Sequence, residues 1–389
     1  MSRPVPLTAQ LMATLTLLAW GLAPGGVASG APSRLRASLR DDLLSKADYE
    51  RLERGYYEGL LDAGRSLGAL DGGPRLRESA LPRRGWTHLE AAPFEAGPLA
   101  SVVADVREFV LKPNLSIEHQ GARWSTNSLG MRDREYATAK PPRTFRIALV
   151  GDSIGAGWGV SDGQGFEPTL ERRLDARSRA AGGPAVEVLN FAVPGHGPGQ
   201  RWDHFTRVGW AMGPDLVIFE STPADAGWDE RRLRGLLPKG VGWDAPVYRD
   251  VLTASGARPG GDMAAYKRAL RPYRAAFAAG VFRVAAADCR ARGVPCVWVL
   301  VPRVGKAVDP AERRRLVAQA RRAEFAAVAD LSDAYDGIDP AALAIGPHDF
   351  HPNADGHARL ARRLDEVLRQ RPELCRAWAP APALGADRP

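Results

Sequence analysis

From about residue 143 onward, apolar segments of strand length alternate with segments of helical periodicity. Two of the apolar segments, Leu216–Phe219 and Val297–Val301, contain no polar residue. Such continuous runs are typical of parallel strands that helices cover on both faces. The alternation therefore predicts a doubly wound α/β domain. Its predicted strands are residues 145–150, 186–192, 215–220, 294–301 and 326–331.

The length of the chain, 389 residues, exceeds that of a typical single domain, so further segments are expected. Before the α/β region, helical spacing of apolar residues between about 34 and 70 is followed by short β-like pieces at Arg107–Lys112 and Leu115–His119. This mixture predicts an N-terminal α+β appendage. The predicted segments are residues 1–30 as a signal peptide or membrane anchor, 31–140 as the appendage, 141–378 as the main domain and 379–389 as a disordered tail.

The N-terminal segment has the order of a secretory signal peptide. Arg3 precedes an apolar stretch from Leu11 to Leu22, and small residues follow around Ala28. The uncharged run that contains them is also long enough to cross a bilayer without being cleaved. The sequence therefore predicts export, to the periplasm, the extracellular space or a membrane tether.

Charge and cysteine content narrow the function classes. The formal net charge is +8, but the basic residues are scattered among acidic ones and form no run with stacking aromatics, so no nucleic-acid partner is expected. Three cysteines do not make a disulfide framework, although a Cys289–Cys296 bridge remains an alternative. No metal-ligand spacing appears, and His196 and His204 are interpreted as surface residues. Neither a metal nor another cofactor is expected.

The first strand of the domain runs directly into Gly151-Asp152-Ser153, and Asp349-Phe350-His351 stands near the other end of the chain. A serine hydrolase needs these three side-chain types: Ser153 to attack, His351 to take the proton and Asp349 to fix the imidazole tautomer. Ligands of open α/β sheets bind beyond the carboxyl ends of the strands, where Ser153 and Gly195 both follow a strand. The alternatives are a helix cap at Ser153 and solvated loop residues at Asp349 and His351.

With these residues the chain resembles the SGNH (GDSL-type) hydrolases, over roughly Arg143 to Leu368. The resemblance implies a flavodoxin-like three-layer fold and an activity on acyl esters of carbohydrates or lipids. It also implies that Ser153, His351 and Asp349 are catalytic and that the N–H groups of Ser153 and Gly195 form the oxyanion hole. Many members place the acid three residues before the histidine, a position that His348 holds here.

One position departs from the family pattern. Ala224 stands before Asp225, where the family has an asparagine whose side chain donates to the oxyanion. Losing one such donor typically lowers turnover by roughly 10²–10³. Thr222 or Ser221 could replace the donor. The sequence therefore predicts an exported serine esterase or O-acyltransferase, and the alternative is a catalytically impaired binding module of the same fold.

A nucleotide site is a weaker alternative, suggested by the glycines of Gly155-Ala156-Gly157-Trp158-Gly159. Their spacing fits neither a P-loop nor the complete dinucleotide fingerprint.

Overall fold

The computed structural model describes residues 97–346 and 349–375 of the chain. The predicted signal segment, the helix expected between 34 and 70, the tail and His348 lie outside these residues.

A parallel sheet of five strands forms the centre of the molecule, in the order β6-β5-β7-β8-β9. It confirms the predicted doubly wound fold, and each strand begins and ends within two residues of its predicted position. Every residue of β7 and β8 is buried, which explains why these segments are almost wholly apolar. The strands are β5 (Thr144–Val150), β6 (Ala185–Asn190), β7 (Leu216–Ser221), β8 (Cys296–Leu300) and β9 (Ala327–Asp330).

Helices cover both faces of this sheet. On one face α1 and α9 enclose a core that includes Leu170 and Leu360. On the other face α2, α3, α6 and α7 enclose a second core that includes Phe205 and Phe282. The helices are α1 (Phe166–Ala180), α2 (Pro198–Val208), α3 (Asp225–Leu236), α4 (Arg249–Ser255), α5 (Met263–Leu270), α6 (Arg274–Ala291), α7 (Pro310–Arg322), α8 (Pro340–Leu343), α9 (Ala354–Arg369) and α10 (Pro372–Cys375). In the part of the chain that the structure describes, no helix is both long and apolar enough to cross a bilayer.

Residues 97–140 form two small antiparallel sheets, in which β1 (Ala100–Val102) pairs with β2 (Phe109–Leu111) and β3 (Ser116–His119) pairs with β4 (Ala122–Ser125). The segment that follows them is held by a buried side chain of β5. Arg146 donates to the carbonyls of Ala137 and Thr138, at 2.6 and 3.1 Å. This part of the predicted appendage is therefore bound to β5 of the main sheet.

The chain crosses the sheet in a way that opens a crevice. It enters at β5, moves outward to β6 and then returns to β7 on the other side of β5. The connections after β5 and β6 therefore diverge to opposite faces, and the space beyond the carboxyl ends of these strands is where such folds bind ligands.

Cys289 in α6 and Cys296 in β8 are both buried free thiols. The bridge between them that the sequence left open is therefore not formed in this structure. Burial raises the pKa of the Cys296 thiol well above its ordinary value.

Candidate active site

Ser153 lies on a sharp turn directly after β5. The strand ends at Val150, and Oδ1 of Asp152 then accepts a hydrogen bond from Ile154 N at 3.1 Å. The carbonyl of Ser153 accepts another from Trp158 N at 2.9 Å. The turn leaves Ser153 half-buried at the carboxyl edge of the sheet.

The loop before α9 brings His351 to the same edge. Ile345 N donates to the His351 carbonyl at 3.1 Å, and Asn353 N donates to the Leu343 carbonyl at 2.6 Å. Asn353 then caps α9, because its side-chain oxygen accepts from Gly356 N at 3.1 Å. These bonds fix the loop to the end of the helix.

The structure brings Ser153, His351 and Asp349 into direct contact. Oγ of Ser153 lies 2.8 Å from Nε2 of His351, and Nδ1 of His351 lies 2.6 Å from Oδ1 of Asp349. The same carboxylate oxygen accepts the backbone N–H of His351 at 2.8 Å. The imidazole therefore stands between the hydroxyl and the carboxylate, an arrangement that can move a proton from Ser153 to His351.

The carboxylate of Asp349 is held in its charged form. Burial raises the pKa of this carboxyl, but the charge of His351 and the hydrogen bonds from its ring and backbone outweigh burial, so the pKa lies below its ordinary value. The His351 ring is almost fully enclosed and packs on Phe350, with 4.3 Å between the ring centres. An ionised carboxylate at Nδ1 favours the tautomer that leaves Nε2 free to accept a proton.

The turn after β6 presents the second candidate group. Gly195 has a φ of 81°, which favours glycine, and its carbonyl accepts from Nε1 of Trp228 and Nη2 of Arg232, each at 3.1 Å. Within residues 97–346 and 349–375, neither the Ser153 N–H nor the Gly195 N–H donates a hydrogen bond. Two backbone donors, on the turns after β5 and β6, are thus unused by the described part of the protein.

The polar groups of the turn after β7 form hydrogen bonds to Asp225, at the end of the same turn. The hydroxyl of Ser221 donates to Oδ2 of Asp225 at 2.8 Å, and the hydroxyl of Thr222 lies 3.3 Å from Oδ1 of the same residue. Thr222 N also donates to this carboxylate, at 3.2 Å. Ala224 follows at the start of α3. Thr222 would have to break its bond to Asp225 before its hydroxyl could serve as a donor in the crevice.

Arg201 of α2 is a residue that the sequence interpretation missed. Its buried guanidinium donates to Asp152 Oδ2 at 2.8 Å and to both carboxylate oxygens of Asp225, at 3.0 and 3.1 Å. It also donates to the carbonyls of His196 and Glu220, at 2.9 and 3.1 Å. One side chain therefore joins the turns that follow β5, β6 and β7. No local pattern marks it, because its partners lie far away in sequence.

Glu220 was also missed, although an acid at the end of the apolar run of β7 is a visible signal. Its carboxyl is fully buried beside the Asp152 carboxyl, with which it shares a hydrogen bond. A side chain at Gly151 or Gly155 would collide with this carboxyl. Burial and the charge of Asp152 raise the pKa of Glu220 well above its ordinary value, which favours the neutral form of this carboxyl.

This packing also accounts for the glycines that suggested a nucleotide. Gly155 faces Glu220, whereas Gly157 and Gly159 have φ values of 73° and 80°, and a side chain at Gly159 would collide with Ile345. These glycines therefore allow close packing and turns within the protein itself.

The interpretation of His196 as a surface residue is wrong. The side chain is buried, with Nε2 at 2.9 Å from the Phe109 carbonyl. Burial lowers its pKa well below the ordinary value. The hydrogen bond to Phe109 attaches β2 to the turn that carries Gly195. Among the residues that the structure describes, no group of His, Cys, Asp and Glu is arranged to hold a metal ion.

Comparison with known proteins adds the following findings. Residues 149–359 match the family model of the GDSL-like lipase/acylhydrolase family. The structure of TesA is 18% identical, with a TM-score of 0.36, and the match covers 58% of this chain and 98% of that one. A mutant of Axe2, an acetyl-xylooligosaccharide esterase from Geobacillus Stearmophilus, is 18% identical, with a TM-score of 0.37 and coverage of 57% and 93%. A search of curated proteins finds no match.

Another solved structure, that of a two-domain esterase, is matched over a smaller share of its own length. The two-domain esterase CEX, active on acetylated mannans, is 13% identical with a TM-score of 0.38, and the match covers 63% of this chain and 52% of that one.

A buried acid supports the turn that carries Gly195. Asp229 of α3 is fully buried and accepts hydrogen bonds from the Tyr248 hydroxyl at 2.9 Å and from Gly199 N at 3.2 Å. Burial raises the pKa of Asp229 to about 7, although both hydrogen bonds lower it.

We predict that Asp229 makes the stability of the protein depend on pH. An unfolded aspartic acid has a pKa of about 3.9, whereas this residue keeps its proton in the folded state up to about pH 7. Between these values the folded state binds the additional proton, so the free energy of unfolding falls as the pH rises. Urea unfolding at a series of pH values should show a smaller fall for Asp229→Asn than for the native protein. The exposed Asp336 provides the control, since Asp336→Asn should keep the native slope; equal slopes for all three proteins would contradict the prediction.

Proposed function

The chain belongs to the GDSL-like lipase/acylhydrolase family, and from this premise we propose that it is a serine hydrolase that cleaves acyl esters of carbohydrates or lipids. The observation that carries the proposal is the contact of Ser153 Oγ with His351 Nε2 at 2.8 Å, with Asp349 on the other ring nitrogen at 2.6 Å. At these distances His351 can accept the hydroxyl proton of Ser153, and Asp349 fixes the orientation of the imidazole ring.

In the first half of the proposed reaction, His351 Nε2 takes the hydroxyl proton of Ser153 as Oγ bonds to the ester carbonyl carbon. The carbonyl π electrons move to its oxygen and form an oxyanion. When this intermediate collapses, the bond to the alcohol oxygen breaks, and His351 returns the proton to the departing alcohol. The product is an acyl ester of Ser153.

In the second half, His351 deprotonates an incoming hydroxyl as its oxygen attacks the acyl carbon. The bond from this carbon to Ser153 Oγ then breaks, and His351 returns the proton to Oγ. Water as the nucleophile gives a carboxylic acid, and a sugar hydroxyl gives a new ester. The same site thus serves an esterase and an O-acyltransferase, and the family assignment favours the esterase.

The oxyanion of the proposed intermediate needs hydrogen-bond donors. The N–H groups of Ser153 and Gly195 suit this role, because the protein leaves both unused in the described ranges. Thr222 is the weaker candidate, since its hydroxyl and N–H are both directed to Asp225. Two donors can still stabilise an oxyanion, and this favours an enzyme over a binding module.

Export is part of the proposal and rests on the apolar N-terminal segment. An exported esterase would meet acylated polysaccharides or lipids of the cell envelope.

We predict that a fluorophosphonate probe labels the native protein and does not label Ser153→Ala. The hydroxyl beside His351 is activated, whereas removing it leaves no oxygen to form the adduct. In-gel fluorescence after denaturation measures the labelling. Ser332 is the matched control because it also follows a strand of the sheet but hydrogen-bonds to Asp330, and Ser332→Ala should label like the native protein. Labelling that survives in Ser153→Ala would refute the proposed nucleophile.

We predict that Ala224→Asn raises kcat for an aryl acetate, by up to roughly 10²-fold, with a smaller change in KM. The reason is that an amide N–H at the start of α3 adds an oxyanion donor that this chain lacks. Ala224→Leu introduces a side chain of similar size without a donor and is the control. If Asn gives no more activity than Leu, then the site does not lack a donor at this position.

A further inference from the structure

Three arginines flank the crevice that holds Ser153, and we call them the arginine cluster. Arg231 belongs to α3, Arg274 begins α6 and Arg303 follows β8. Burial is the main cause that lowers the pKa of Arg231, and the nearby charges of Arg274 and Arg303 lower it further. Arg274 is exposed, and the other two are half-buried. Three elements distant in sequence thus bring like charges to one place.

On one side of the crevice the cluster adjoins the turn of Gly195. The guanidinium of Arg231 lies 5.2 Å from the ring centre of Trp228, and the same ring donates from Nε1 to the Gly195 carbonyl at 3.1 Å. Arg274 lies against Gly227 in the first turn of α3, where any side chain would collide with its guanidinium. These two arginines therefore stand beside the proposed oxyanion donor and the position of Ala224.

On the other side the cluster adjoins the imidazole. The guanidinium of Arg303 lies 4.5 Å from the ring centre of Phe350, which packs on the His351 ring at 4.3 Å. The next residue, Val304, donates from N to the Phe350 carbonyl at 2.9 Å. The charge of Arg303 also reaches Asp152: burial raises the pKa of this carboxyl, whereas Arg201 and, more weakly, Arg303 lower it. A substrate bound between Gly195 and His351 would meet positive charge on both sides.

Three acidic side chains near the cluster form ion pairs with other arginines. Glu230 pairs with Arg234 at 3.2 Å, and Asp152 and Asp225 pair with Arg201. Within the described ranges, neither Arg231 nor Arg274 forms an ion pair. Holding like charges together raises the energy of the folded protein, and an anion bound there would lower it. Guanidinium groups also match the geometry of carboxylate, sulfate and phosphate oxygens.

We propose that the ester substrate carries an anionic group, which the arginine cluster binds while the ester bond lies at Ser153. This inference rests on the proposed hydrolase function and names the class of its substrate: an acyl ester of an acidic molecule. Binding energy from such a remote group can position the reacting ester and so raise turnover.

The experiment compares matched anionic and neutral esters with the full chain. For an anion on the alcohol side, the pair is 4-acetoxybenzoate and its methyl ester. For an anion on the acyl side, the pair is 4-nitrophenyl hydrogen glutarate and 4-nitrophenyl methyl glutarate. The measured quantity is the ratio of kcat/KM for the anionic ester to kcat/KM for the neutral ester. Comparing this ratio between variant and native protein cancels the intrinsic reactivities of the two esters.

In Arg231→Met and Arg274→Met this ratio should fall at least about tenfold for one of the two pairs, which corresponds to about 1.4 kcal/mol of lost interaction. The exposed Arg314 of α7 is the control, and Arg314→Met should keep the native ratio. Because Arg274 is exposed, its variant carries the test if Arg231→Met does not fold.

A ratio that stays at the native value in both arginine variants, for both pairs of esters, would overturn the inference and leave the proposed hydrolase standing. A native protein that hydrolyses none of the four esters would instead refute the proposed hydrolase, and the inference with it.

Discussion

The buried guanidinium of Arg201 is the interaction on which the geometry of the site depends. It binds Asp152 beside the nucleophile, the carbonyl of His196 beside Gly195, and Asp225 at the start of α3. Removing one partner of such a buried network typically costs about 3–5 kcal/mol, because the remaining charges stay buried without compensation. The three turns are thus held as one unit, and the distances between their backbone donors and the Ser153 hydroxyl are fixed by a side chain that itself touches none of the reacting atoms.

The sequence predicted the sheet well because buried parallel strands are continuously apolar and have lengths that differ from those of helices. Ser153, Gly195, Asp349 and His351 could also be chosen, because their positions at strand ends and before α9 follow from the topology. Glu220 could have been chosen from its place at the end of the apolar run of β7, whereas Arg201 could not. Arg201 binds Asp152 and Asp225, which lie 49 and 24 positions away in the sequence. Its helix shows no charge pattern that indicates buried partners. His196 was misjudged for the same reason, since its partner Phe109 belongs to a distant hairpin.

The absence of an asparagine at position 224 and the arginine cluster are related through the distribution of binding energy. A site with fewer oxyanion donors stabilises the transition state less at the reacting oxygen. Interactions with a remote part of the substrate can compensate when they position the ester more tightly in the transition state than in the ground state. The arginines lie where such an interaction would act, beside Gly195 through Trp228 and beside His351 through Phe350. Under the proposed function, the two features together would make turnover depend on the anionic group of the substrate.

The central claim is that acyl transfer passes through a covalent ester of Ser153, and rapid-quench mass spectrometry tests it most directly. The full chain is mixed with 4-nitrophenyl acetate, quenched in acid within the first turnover and digested. The account predicts that the peptide containing Ser153 gains the mass of one acetyl group at early times and loses it as the ester is consumed. Hydrolysis of the ester without this adduct, or with the acetyl group on another residue, would contradict the account.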